Sequence, residues 1–277
     1  MKIINARLID GTGKPPAENA TLVFGERITR LDDDPGQHEV IDAGGRTVIP
    51  GLVNAHIHLC IDANAPDSFR AVASESLAMT TLRAAGRARR MLQAGITTAR
   101  DLGGREYVEL AVRDLIRSGE LKGPHLLCAG KLITMTGGHG YPLGRESDGV
   151  DDVRRAVREQ LKAGADVIKI MATGGVLTPG VEPGAAQLEE EEIRAGVVEA
   201  HKASRMTATH AQGTAGVKAA LRAGIDTVEH GIFLDDECIE LMKARDVVFV
   251  PTLAAPYRIN QAGLARGIPK YVLDKSE

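Results

Sequence analysis

The amino-acid sequence predicts an α/β fold, a (β/α) barrel preceded by a small β unit, and three observations predict it. From Gly51 onward, short apolar runs alternate with Ala/Arg/Glu-rich stretches of helical period. An Ala-Gly junction recurs between helix and strand, and polar, Gly-rich segments follow the strands on one side. With 277 residues, 43% hydrophobic and 26% charged, the chain has the composition of an ordinary globular protein. Length alone allows one large α/β domain or two smaller ones.

Residues 1–50 carry β-type runs at Ile3–Ile9, Ala20–Phe24 and Thr47–Ile49. Turn chemistry separates them at Asp10-Gly11, Lys14-Pro15-Pro16, Asp34-Pro35-Gly36 and Gly44-Gly45. Residues 51–277 form the second expected domain. Its helical stretches are Ser76–Ala94, Val153–Ala163, Glu189–Ser204 and Thr214–Ala223. Its seven strands are Leu52–His56, Ile96–Asp101, His125–Ala129, Val167–Met171, Met206–His210, Thr227–His230 and Val247–Pro251. Ala94-Gly95, Ala163-Gly164 and Ala223-Gly224 each end a helical stretch, and in each the Gly is expected to close the helix in left-handed conformation.

The net charge of −3, without a run of like charges, offers no electrostatic reason for a nucleic-acid or membrane partner. No Trp, four Phe and four Tyr leave little for base stacking or a sugar platform. Cys60, Cys128 and Cys238 are odd in number and lack Cys-x-x-Cys spacing, which argues against a disulfide framework or zinc ribbon. No stretch approaches the roughly eighteen apolar residues of a membrane span, and a leader-like N-terminus is lacking. A cytoplasmic protein with a small-molecule ligand is expected, and a homo-oligomer is compatible with this.

Candidate chemistry gathers at the strand ends. His56 and His58 are two apart, so both imidazoles leave the chain on one side and can reach one ion. One such pair by itself is equally a pair of surface histidines. Lys169 lies inside the apolar run Val167–Met171, where an ammonium leaves water at a cost on the order of several kcal/mol. Burial lowers a lysine pKa, and a neutral amine reacts with carbon dioxide to give a carbamate able to bridge two cations. The alternative is a strand-end lysine reaching solvent or paired with a carboxylate. His210 and His230 each end a predicted strand. His139, in Thr136-Gly137-Gly138-His139-Gly140, and more weakly Gln212 are candidates for binding substrate, with a structural loop histidine as the alternative for His139. Asp101 reads as a structural ion pair or helix cap.

The string Val48-Ile49-Pro50-Gly51-Leu52-Val53-Asn54-Ala55-His56-Ile57-His58 resembles the entry motif of the amidohydrolase superfamily. Val167-Ile168-Lys169-Ile170-Met171-Ala172-Thr173-Gly174-Gly175, His210-Ala211 and Val228-Glu229-His230-Gly231 continue in that family's order. The resemblance is nearest to the Xaa-Pro or Xaa-Arg dipeptidase and imidazolonepropionase-related branch, and Lys169 favours the two-metal, peptidase-like group.

The resemblance implies a TIM-like barrel with a partial N-terminal β-sandwich. It implies two divalent cations, zinc or equally manganese, cobalt or iron, held by His56, His58, His210 and His230 and bridged by carboxylated Lys169. It also implies hydrolysis of a dipeptide or N-acyl amino acid amide by a metal-bridging hydroxide. The alternatives are a cyclic amide, ester or lactone substrate, or a catalytically incomplete metal-binding fragment or pseudoenzyme. Relatives carry an aspartate after an eighth strand. No such strand follows Val247–Pro251, and Asp274 has none before it. The expectation is therefore a barrel lacking its last strand, from a truncated product or fragment, with its first and seventh strands as open edges.

Overall fold

The computed structural model describes residues 1–30 and 39–276, so the predicted turn at Asp34-Pro35-Gly36 lies outside the described residues. The chain divides into two compact units, Met1–Leu52 and Val53–Glu277.

In the first unit, β1 (Lys2–Leu8), β2 (Ala17–Phe24), β3 (Ile28–Arg30), β4 (Val40–Asp42) and β5 (Thr47–Val48) form one sheet. Its order is β3-β2-β1-β4, with β5 also on β1. β1 and β2 run antiparallel, whereas β4 and β5 pair parallel to β1. Ala6, Leu8, Leu22, Val23 and Ala43 supply the buried apolar side chains. The Asp10 carboxylate accepts the Thr12 N–H at 2.9 Å, closing the predicted Asp10-Gly11 turn. A sandwich needs two stacked sheets, and the described residues of this unit make one. The three-residue β3 and β4 are too short to show alternation in sequence.

The strands of the second unit open with β6 (Leu52–Ile57), followed by α1 (Ser68–Ser74), α2 (Leu77–Gln93), β7 (Ile96–Asp101), α3 (Val108–Arg117), β8 (His125–Cys128), β9 (Leu132–Thr134) and β10 (Gly144–Glu146). Then come α4 (Val150–Ala163), β11 (Val167–Met171), α5 (Glu190–Lys202), β12 (Met206–Ala211), α6 (Thr214–Ala223), β13 (Thr227–His230), α7 (Asp236–Ala244), β14 (Val248–Val250), α8 (Ala254–Ala262) and α9 (Lys270–Ser276). The seven expected strands are β6, β7, β8 and β11 to β14. They form an α/β fold with two sheets, β6-β7-β8 and β10-β9-β11-β12-β13-β14. Pairing within the larger sheet and between β7 and β8 is parallel. β6 and β14 are the end strands of their sheets.

The recurring Ala-Gly junctions do the same work each time. Gly95, Gly164 and Gly224 have φ of +87°, +91° and +95°, the left-handed conformation that closes α2, α4 and α6. Two residues after the glycine, Asp166 and Asp226 bind the next strand to its neighbour. The Asp166 carboxylate accepts the Cys128 N–H at 3.0 Å, while its own N–H donates to the Cys128 carbonyl at 2.8 Å, joining the two sheets. Asp226 accepts the Thr207 N–H at 2.7 Å. Arg113 donates to Asp166 at 2.6 Å and to the Gly164 carbonyl at 2.8 Å, satisfying a buried guanidinium.

Helices cover the outer faces. β11 is buried along its whole length, as expected for a strand covered on both sides. Ile168 and Ile170 pack with Val157, Ile193, Val197 and Leu221 in the larger core, and a second core joins Ala84, Ala88, Val112 and Leu126. The Ser76 hydroxyl caps α2 by accepting the Met79 N–H, and Glu189 and Glu192 form a capping box on α5. Cys60, Cys128 and Cys238 are free and buried. Among the described residues no helix is long and apolar enough to cross a membrane.

Two glycines therefore respond oppositely to alanine. Gly164→Ala places a Cβ at φ +91° and should cost about 1 kcal/mol, a few degrees in Tm. Gly86→Ala lies in mid-helix, where a Cβ meets nothing nearer than 3.6 Å, and should stabilise by about 0.5–1 kcal/mol. Thermal unfolding of both variants measures the contrast.

Candidate functional site

Period-2 geometry brings the candidate residues together. Val167, Lys169 and Met171 share one face of β11, and Ile168 and Ile170 take the helix-facing side. His56 and His58 leave the end of β6 on one side, and His210 ends the corresponding face of β12. In β13 alternation would put His230 with Val228, on the helix side. A φ of +74° at His230 breaks the alternation and turns its ring inward.

The rings stand in a chain. Their centroids lie 5.3 Å apart for His56 and His58, 5.0 Å for His56 and His230, and 4.4 Å both for His230 with His210 and for His210 with His139. All five, with Lys169 and Gln212, line one cavity of about 860 Å³. Its remaining walls are mainly apolar, including Phe69, Leu177, Phe233 and Leu253. None of the described lining residues is Asp or Glu; Asp274 is exposed on α9, paired with Lys270.

Each imidazole is held by one nitrogen. His56 Nδ1–H donates to the Glu229 carboxylate at 2.8 Å, His58 Nδ1–H to the Gly103 carbonyl at 2.9 Å, and His210 Nε2–H to the Gly174 carbonyl at 2.9 Å. Carbonyl oxygens only accept, and Glu229 is ion-paired with Arg100, so these partners favour the tautomers that leave His56 Nε2, His58 Nε2 and His210 Nδ1 as bare lone pairs. The other two rings pair with hydroxyls, His230 Nδ1 with Thr252 at 2.6 Å and His139 Nδ1 with Thr178 at 2.8 Å. Burial lowers all five pKa values, to about 4 for His58 and about 3 for His139, so the rings are neutral, the form that binds cations.

Lys169 is 1% exposed, and its Nζ has no hydrogen-bond partner. It neither reaches solvent nor pairs with a carboxylate. Burial lowers its pKa to about 7; Glu229 opposes the shift and Arg100 adds to it. Among the described residues, no three His, Cys, Asp or Glu side chains converge as a single-ion cage. The histidines could instead hold ions pairwise, His56 with His58 and His210 with His230, provided that a modified Lys169 supplies the missing anionic ligand. A partnerless buried amine among neutral imidazoles fits that group.

Sequence reading missed the residues behind the histidines. Glu229 is fully buried and accepts from Arg100 at 2.7 Å as well as from His56. Their signal was a charge within each of two short apolar strands. Asp101 corrects the expectation of an ion pair or helix cap. It is a buried carboxylate accepting the Leu59 N–H at 2.7 Å and the Gly103 N–H at 3.1 Å, which shapes both loops around His58. Thr178 was also missed. It sits on a loop gripped by α9, where Lys275 Nζ donates to the Thr178 and Val181 carbonyls and the Tyr271 hydroxyl to that of Leu177. A Cβ at Gly175 would come within 2.3 Å of His139 Nε2, so only glycine allows this approach.

A model of the amidohydrolase family matches residues 47–272. The chain belongs to the amidohydrolase family. This amidohydrolase is 32% identical to the ochratoxinase of Aspergillus niger over an alignment covering 88% of the chain and 57% of that protein. It thus spans little more than half of that relative's length. A crystal structure of an amidohydrolase matches with a TM-score of 0.90 at 35% identity, covering 99% of this chain and 71% of the other. A Xaa-Pro dipeptidase with methionine bound in its active site matches with a TM-score of 0.87 at 31% identity, covering 99% and 72%.

The environment of Lys169 has a measurable effect on stability. Its folded pKa of about 7 lies below the ordinary 10.5, so between these values the unfolded chain holds a proton that the native chain does not. Stability contributed at this site should rise with pH across that window, and the cost of burying the charge is greatest below it. In metal-free protein, Lys169→Met should stabilise by a few kcal/mol at pH 7 and flatten the rise. Denaturant unfolding across the window measures it.

Proposed function

We propose that this amidohydrolase holds two divalent cations, zinc foremost, and hydrolyses the amide bond of a dipeptide or N-acyl amino acid. His56 and His58 would hold one cation and His210 and His230 the other, with carboxylated Lys169 between them. The observation that carries the reading is the Lys169 amine, fully buried and partnerless among four neutral imidazoles. Addition of its Nζ lone pair to carbon dioxide forms an N–C bond and releases one proton. The product is an anion with two oxygens. The same reading takes the two parallel sheets as staves of one TIM-like barrel, and residues 1–50 as part of a β domain. The three buried thiols favour a reducing, cytoplasmic setting.

When bound, the cations supply Lewis acidity toward the scissile carbonyl and lower the pKa of water. The chain's own residues do the remaining work. The Gly103 and Gly174 carbonyls keep the His58 and His210 imidazoles in the tautomers that present lone pairs. His139, anchored by Thr178, directs its Nε2 to a substrate carbonyl or carboxylate oxygen, and Gln212 lines the same cavity. The apolar walls receive a hydrophobic substrate side chain and exclude water. A volume of about 860 Å³ suits a molecule of dipeptide size or somewhat larger.

The absence of Asp and Glu from the described cavity lining favours a second reading, a protein that binds cations without a carboxylate to take the proton from water.

Metal analysis of the purified chain, combined with hydrolysis of a dipeptide and N-acyl amino acid panel, separates these readings. Two equivalents of metal and hydrolysis lost on chelation are expected. His210→Ala should then lower kcat/KM by more than about 100-fold, the scale of losing a principal electrostatic contributor. Bound metal without turnover selects the second reading, and no bound metal overturns both.

A further inference from the structure

Glu229 lines no part of the cavity, and the proposed reaction makes no direct use of it, although it is a fully buried carboxylate beside the site. Both its oxygens are engaged. Oε2 accepts the His56 Nδ1–H at 2.8 Å, and Oε1 accepts Arg100 Nη2 at 2.7 Å and the Thr227 hydroxyl at 2.7 Å. Arg100 spends two further donors nearby, Nε on the Ala55 carbonyl at 2.8 Å and Nη1 on Thr227 Oγ1 at 3.2 Å. The guanidinium therefore grips the backbone next to His56, and the carboxylate grips the ring.

We infer that Glu229, oriented by Arg100 and Thr227, is a positioning residue that fixes His56 as its Nδ1–H tautomer and aims the Nε2 lone pair at the cation site. This rests on the metal-dependent reading above. A carboxylate can serve because it accepts at both ends. Arg100 and the Thr227 hydroxyl donate to one oxygen and His56 to the other, so the arrangement has no tolerance for a donor at either end.

An amide in this place would have one acceptor end and one donor end. Two donors already demand the acceptor at the Arg100 end, so the amide NH2 of a Glu229→Gln side chain would turn to His56. The imidazole would then have to accept at Nδ1 and carry its proton on Nε2. That tautomer has no lone pair left for a cation. A glutamate that merely neutralised Arg100 would show no such effect on the ring.

The test uses zinc alone as the probe and two readouts other than activity. Nitrogen NMR of metal-free protein, with His56 assigned from its loss in His56→Gln, reports the tautomer. Zinc titration against a competing chelator reports affinity. The parent should show Nδ1–H at His56. Glu229→Gln should shift the ring to Nε2–H and weaken zinc binding about 10- to 100-fold, as expected for losing the hydrogen-bond partner of a ligating histidine. Glu229→Asp should keep the Nδ1–H tautomer but bind zinc more weakly, because the shorter acid cannot span Arg100 and His56 together. An Nε2–H ring in the parent overturns the inference even if Glu229→Gln does not fold. So does a folded Glu229→Gln with parental tautomer and zinc affinity. A parent that binds no zinc, with His56 still Nδ1–H, overturns the metal-dependent reading instead.

Discussion

The arrangement of the second unit depends on the buried contact between Arg100 and Glu229. Arg100 rises from β7 and Glu229 from β13, so this ion pair ties the three-stranded sheet to the six-stranded one through side chains alone. A buried charge is tolerable only when paired and fully hydrogen-bonded. Here two further guanidinium donors go to the Ala55 carbonyl and Thr227, and the second carboxylate oxygen goes to His56. The pair is thus compensated inside the fold, while Lys169, close enough to feel both charges, has no partner. An apolar replacement of similar volume could join the sheets as well but would leave His56 without its acceptor.

Backbone carbonyls do for His58 and His210 what Glu229 does for His56. Gly103 and Gly174 lie in glycine-rich segments just beyond strand ends, where a carbonyl no longer committed to a ladder is free to accept a ring N–H. Rigid strands thereby set the positions of the rings, and loop carbonyls set their chemistry. His230 is the exception in backbone terms. It adopts a left-handed conformation, at a cost on the order of 1–3 kcal/mol, to bring its ring to the side that β-alternation denies it.

Much of this was legible in the sequence because it obeys local rules. Alternation of apolar runs with helical stretches located β6, β7, β8 and β11 to β14, and the Ala-Gly junctions marked the ends of α2, α4 and α6. His56, His58, Lys169, His210 and His230 stood out as polar residues at or within apolar runs, and they meet around one cavity. What was not legible depends on partners distant in the chain. Glu229 and His56 are 173 positions apart, and Glu229 beside a histidine looks like the solvent face of a half-buried strand. Asp101 read as an ion pair or helix cap, yet the arginine before it is committed to Glu229 and the aspartate to two backbone amides. The strands β9 and β10 are three residues each and flank a glycine-rich loop, with no helical stretch between them to mark the alternation that betrayed the equally short β14.

The grip of α9 on the loop bearing Thr178 makes the cavity wall a mechanical series. Lys275 holds the carbonyls of Thr178 and Val181, Thr178 holds the His139 ring, and that ring stands against His210. In such a series the compliance of the whole is set by its softest member. α9 is a seven-residue helix with Val272 as its buried anchor, far less secured than the strands behind the histidines. The rigidity with which His139 faces an incoming molecule is therefore decided at the periphery of the fold, by how firmly a short surface helix stays down.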